Sequence, residues 1–272
     1  MTPLLFAATG GLFTELSGLL NIAIEGLLLA GAFAAIAAVH FTGSFAAGII
    51  AAILAAMILS ALHAFSTLKI RSNVFISGIA INLLSGGLTI VLSMYFFGTR
   101  GVFALSETRY PGLINALTYA GLLLLAAAWI VIYKTPFGYR LRACGKSASH
   151  SGAEALVSLG MNPDNYRFAA FLICGFLCGL GGSFLSLNLG AFVPNMTAGK
   201  GWIALVVIFL GGRKPLGLLF AAFAYGLAET FSNYAQGLSV IPAGIVLAMP
   251  YLLTFLAMVL TSIWVERKSK VI

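Results

Sequence analysis

Runs of roughly twenty apolar residues, each long enough to cross a bilayer, follow one another along this chain with little but short polar connections between them. Such runs cannot all be buried in a water-soluble fold, because too little polar sequence remains to cover it. Only 8% of the 272 residues are charged and 61% are hydrophobic, whereas a soluble domain carries about 25% charge. The solvent must therefore be the bilayer, where backbone groups have to be satisfied within helices. The fold expected is an all-α polytopic membrane protein with about eight or nine transmembrane or re-entrant helices, residues 1–272 forming one transmembrane domain. The stretches lie near 3–14, 20–39, 43–68, 73–97, 114–133, 167–188, 200–212, 215–235 and 241–263. The first and seventh are too short to cross alone as straight helices. Such pieces are tolerated as half-helices or re-entrant segments tucked among neighbours.

Charge sets the orientation. Fifteen Lys+Arg stand against seven Asp+Glu, and the cations gather in every second connection: Lys69 and Arg71; Lys134, Arg140, Arg142, Lys146 and Arg167; Arg213 and Lys214; and a tail with Arg267, Lys268 and Lys270, the connection near 98–113 with Arg100 and Arg109 beside Glu107 being a partial exception. By the positive-inside rule these connections and the C-terminus face the cytoplasm. Counting back through nine crossings puts the N-terminus outside, and a re-entrant first or seventh segment would put it inside. The N-terminus lacks the charged opening of a cleavable signal peptide. Scattered loop cations do not make a nucleic-acid surface. Three cysteines make no disulfide framework, and Cys174 and Cys178 read as small packing residues.

One polar connection is long, about residues 135–166, and within it Ala153–Leu159 reads as a short helix, with Gly160 as a left-handed cap and Pro163 barring continuation. It serves either as a handle for a cytoplasmic partner or as an ordinary connector. Small and polar residues repeat at helical spacing at Gly78, Asn82, Ser85, Gly86, Thr89 and Ser93; at Gly175, Gly179, Gly182 and Ser186; and at Gly217, Ala221, Tyr225, Glu229, Ser232 and Gln236. Lipid rewards no such stripe, but close helix contact does. Ionisable residues at membrane depth point to function by default, and here they are Glu25, Glu229 and Glu15. Glu25 shares a face with Asn21, so the pair either ties a break in the first hairpin to its neighbours or touches solute.

Several motifs fail on inspection. Gly145-Lys146-Ser147 has Arg140 where a phosphate loop needs glycine, so no ATP cradle forms. His40 and His63 lack ligand spacing, and no metal site is expected. Seven acids spread this thinly assemble no catalytic cluster.

Four blocks, in order along nearly the whole chain, resemble the nucleoside-type ABC importer permeases of the branched-chain amino acid and ribose permease superfamily. They are Leu12–Gly26 (Leu-Phe-Thr-Glu-Leu-Ser-Gly-Leu-Leu-Asn-Ile-Ala-Ile-Glu-Gly) running on to Ala34, then Asn73–Leu84, Thr135–Ala143 and Gly199–Gly217. The resemblance implies a ribose-permease-like transmembrane subunit that pairs with a second homologous permease and with cytoplasmic ABC ATPase subunits in a bacterial cytoplasmic (inner) membrane. A lipid-anchored binding protein would deliver solute from outside. ATP and Mg would be held by the ATPase, leaving this chain no cofactor and no chemistry of its own. Glu154-Ala155-Leu156, with Gly160 six residues after the glutamate, is similar to the coupling helix of such importers. The substrate implied is a nucleoside, purine first, with riboflavin as an alternative and a sugar or amino acid behind them. Solute contacts are expected at Asn21, Glu25, Asn73, Phe75, Ser77, Asn82 and Trp202, since flat rings stack on aromatics and hydroxyls need amide or carboxylate partners. The family's members have a longer N-terminal segment, and the late block carries Gly211-Gly-Arg-Lys where an aromatic before Asn-Pro is more usual. A different class, a stand-alone secondary transporter or channel, would need an ion site at mid-membrane, with Glu25 and Glu229 its carriers.

Overall fold

The computed structural model describes residues 1–105, 111–145 and 151–236. Its helices are α1 (Thr2–Leu16), α2 (Ile24–Thr42), α3 (Phe45–Leu68), α4 (Val74–Phe97), α5 (Pro111–Lys134), α6 (Pro136–Gly145), α7 (Ser151–Ser158), α8 (Pro163–Leu189), α9 (Lys200–Leu210) and α10 (Pro215–Gln236). Among the described residues six helices are long and apolar enough to span a membrane: α2, α3, α4, α5, α8 and α10. The expected crossing at 241–263 and the basic tail lie outside the described residues.

The two short segments behave as their lengths demand. Helix α1, 15 residues, is buried from Pro3 through Thr14. A helix apolar on every side belongs inside a bundle, and α1 is surrounded by α8, α9, α5, α10 and α6. Helix α9, 11 residues and about 16 Å long, packs on α1, α10 and α2. The longest helix, α8, is the other centre and packs against α3, α2 and α1. Its glycine stripe explains how. A Cβ on Gly175 would stand 2.7 Å from Ser60 Cβ, and one on Gly179 would stand 2.6 Å from Ile53 Cα. Side chains at these positions would push α3 away, so the small residues set the interhelical distance. The α4 stripe does the same toward the core, with Ser77, Gly78, Ile81, Ser85, Thr89 and Ser93 buried.

The long polar connection holds more helix than expected. Pro136–Gly145 forms α6, with Gly138, Leu141 and Cys144 buried at three-residue spacing and Arg140 exposed. Its proline occupies the first helical position, where no N–H is needed. Helix α8 also begins earlier than expected, at Pro163, because the Asn162 side chain caps it by accepting from the Asp164 N–H at 2.9 Å.

The two ends of the bundle differ. At one, Arg167 donates to the Ser17 carbonyl (3.4 Å) and the Cys144 carbonyl (3.5 Å), and Arg213 pairs with Glu15 at 2.9 Å. These contacts draw the ends of α1 and α6, the start of α8 and the α9–α10 turn into one basic end. At the other, residues Phe103–Ala104 and Ala191–Phe192 form a two-residue antiparallel pairing. Aromatic rings surround it: Phe97 stacks on Phe103 with centroids 3.8 Å apart, and Phe33 meets Phe192 edge-on at 5.2 Å.

Candidate functional site

Between α1 and α2 the chain breaks helix for a few residues. Broken backbone at membrane depth must find polar partners in the protein. Asn21, wholly buried, accepts from the Ala23 N–H at 2.9 Å and donates toward Cys174 Sγ at 3.3 Å. Asn82, reaching across from α4, uses both ends of its amide. Its Oδ1 accepts from the Gly26 N–H at 2.7 Å and its Nδ2 donates to the Ile22 carbonyl at 2.9 Å. One turn on, Ser85 Oγ donates to the Gly26 carbonyl at 2.6 Å.

Glu25 leaves this junction in the other direction. Its Oε1 accepts from the Gly199 N–H at 2.9 Å and its Oε2 from the Gly201 N–H at 2.6 Å. The carboxylate thus seats on the N-terminus of α9, where orphan donors and the helix dipole favour negative charge. The backbones are so close that a Cβ on Gly201 would overlap the Glu25 N and Cα. Beside it, Lys200 Nζ meets Glu229 Oε1 of α10 at 2.6 Å, the two side chains 21% and 29% exposed.

The expected solute contacts therefore take different places. Asn21, Glu25 and Asn82 converge on the α1–α2 junction and hold backbone. Asn73 caps α4, accepting from the Phe75 and Ile76 N–H groups at 2.9 and 3.4 Å. Ser77 is buried in the α4 stripe, while Phe75 (49% exposed) and Trp202 (46%) open to the surface on separate helices. Lys200 was not among the expected site residues. Its signal was the glutamate itself, since a membrane-depth carboxylate calls for a cation on a neighbouring helix.

The basic end carries a second feature. Helix α7 packs on α6 and α8, with Leu156 buried at 4% exposed and Glu154, Ala155 and Val157 exposed. Gly160, at φ +72°, takes the left-handed conformation that ends it, and the Met161 N–H closes the cap on the Leu156 carbonyl at 2.9 Å.

A closely packed bundle with six helices long and apolar enough to span a bilayer among the described residues, and a polar junction between its first two helices, defines a polytopic membrane protein. The chain belongs to the permease family described as the branched-chain amino acid transport system permease component, whose pattern matches residues 1–262. It is 31% identical over 283 residues to the guanosine ABC transporter permease protein NupQ of Bacillus subtilis, covering 94% of this chain and 87% of that one. It is 28% identical to the nucleoside ABC transporter permease protein NupC of Lactococcus lactis, covering 95% and 88%. It is also 30% identical to a putative glucose ABC transporter permease protein, TsgC13, of Haloferax volcanii, covering 88% and 76%. No solved structure matches significantly.

Proposed function

We propose that this chain is the permease subunit of a binding-protein-dependent ABC importer that moves a nucleoside, purine nucleosides first, into the cell by ATP-driven alternating access. The observation that carries the reading is the near full-length similarity to permeases named for guanosine and nucleosides. The basic end would face the cytoplasm, as the positive-inside rule directs. There α7, held by Leu156 and exposing Glu154, Ala155 and Val157, would seat in a cytoplasmic ATPase that supplies ATP and Mg. A second homologous permease would complete the pathway, and a lipid-anchored binding protein would deliver solute at the opposite end. Nucleotide-driven closure of the ATPase would bias the bundle between two packings. In this scheme the subunit performs no chemistry.

The similarity to a putative glucose permease keeps a sugar as the second reading. Thermal stabilisation of the cognate binding protein decides between them. Guanosine, adenosine, uridine, riboflavin and glucose are offered in turn. Under the reading proposed, a purine nucleoside raises the midpoint most. Stabilisation by glucose alone would replace the substrate and leave the importer assignment standing.

A further inference from the structure

The ion pair between α9 and α10 has no role in holding the α1–α2 junction, and its surroundings are unlike those of a buried staple. Lys200 lies about 15 Å along α9 from Leu210, and Glu229 about 21 Å along α10 from Pro215, at 1.5 Å per residue. Both helices start or end at the turn carrying Arg213 and Lys214, which marks the membrane face. In a hydrocarbon core about 30 Å thick, both groups therefore lie well inside. Yet about a fifth of the lysine side chain and more than a quarter of the glutamate side chain are exposed. Lipid is a poor neighbour for an exposed ion pair, because charge at that depth costs several kcal/mol unless water or protein dipoles solvate it. The pair also has company. The Met1 α-amino group lies close enough to interact electrostatically with both side chains.

We infer that Lys200 and Glu229 face an aqueous cavity at membrane depth and form part of the route solute takes, an assignment that rests on reading the chain as an importer's permease. The lysine donates to Glu229 Oε1 and keeps further N–H donors, and the carboxylate keeps acceptor capacity. Donors and acceptors side by side suit a solute rich in hydroxyl and amide groups. Because Glu25 fixes the N-terminus of α9, movement of α2 would carry Lys200 with it. The pair would then open and close with the bundle.

The test uses the whole complex, with the second permease and the ATPase. Glu229→Cys is compared with Leu227→Cys, a neighbour 55% exposed on another side of α10, using a charged methanethiosulfonate reagent. A thiol in water ionises and reacts, whereas one in hydrocarbon stays protonated, so Cys at 229 should be modified at least about ten-fold faster than Cys at 227. Equal, negligible modification of both would overturn the inference and show the pair sealed by protein. A double variant, Lys200→Met with Glu229→Met, supplies the second arm. Loss of uptake with ATPase association retained is expected, because an apolar pair can replace a structural ion pair without harm but cannot replace a polar lining. Undiminished uptake would overturn the assignment. Labelling needs no solute, so its failure is distinct from a failure of the nucleoside reading, which the parent complex's own uptake reports.

Discussion

Asn82 is bonded to the α1–α2 junction at both ends of its side-chain amide, and apolar replacement removes donor and acceptor together. Asn82→Leu leaves the Gly26 N–H and the Ile22 carbonyl without those partners, at a cost of about 1–3 kcal/mol for each group left unsatisfied. The purified variant should melt at a clearly lower temperature in detergent, and an unchanged midpoint would show that the amide is dispensable to the fold. Gly201→Ala meets the Glu25 backbone directly. Overpacking against backbone costs typically 1–3 kcal/mol, so this variant should lose yield and stability, and an unchanged midpoint would contradict the close approach of α2 and α9. Cys144 gives a chemical check. Burial pushes its thiol up, although the Arg167 charge pulls the other way. At pH 7.5 the thiolate fraction is therefore lower than for a free cysteine, and polar thiol reagents should label Cys144 slowly until the protein is unfolded. Rapid labelling of the native chain would contradict its burial.

At the scale of elements, α7 buries Leu156 and exposes Glu154, Ala155 and Val157, the face proposed to seat in the ATPase. Glu154→Arg with Val157→Arg alters only exposed positions. The double variant should remain folded and lose co-purifying ATPase. Leu156→Arg acts differently, forcing a charge into the contact with α6 and α8, and should destabilise the basic end itself. Persistent ATPase binding in the Glu154/Val157 variant would remove α7 from the interface. The elements also show what a reader of the sequence can and cannot obtain. Apolar length placed α2, α3, α4, α5, α8 and α10, because a bilayer admits few alternatives to a helix. Small-residue spacing marked the close faces of α4 and α8. Helix α6 was missed because its apolar positions, Gly138, Leu141 and Cys144, include a glycine and a cysteine, so its buried face leaves little hydrophobic signal. Asn21 and Glu25 were legible as polar residues near a break, but the partners they chose were not. Gly199, Gly201 and Asn82 are distant in sequence, and a backbone N–H advertises nothing in a list of side chains.

At the scale of the molecule, two short helices give the bundle its character. Arg213 ties the α9–α10 turn to Glu15 of α1 and Glu25 ties α2 to the start of α9, so displacement at the basic end has a physical route to membrane depth. Rocking of such a bundle against a second permease would turn ATPase closure into exposure of the pathway on one face and then the other. The most direct measurement is uptake of radiolabelled guanosine into proteoliposomes containing this chain, its second permease and the ATPase, with ATP inside the ATPase-facing compartment and binding protein on the opposite side. Accumulation above the external concentration that stops when hydrolysis is blocked is the predicted result. Uphill transport by the purified chain alone, with no nucleotide present, would contradict it.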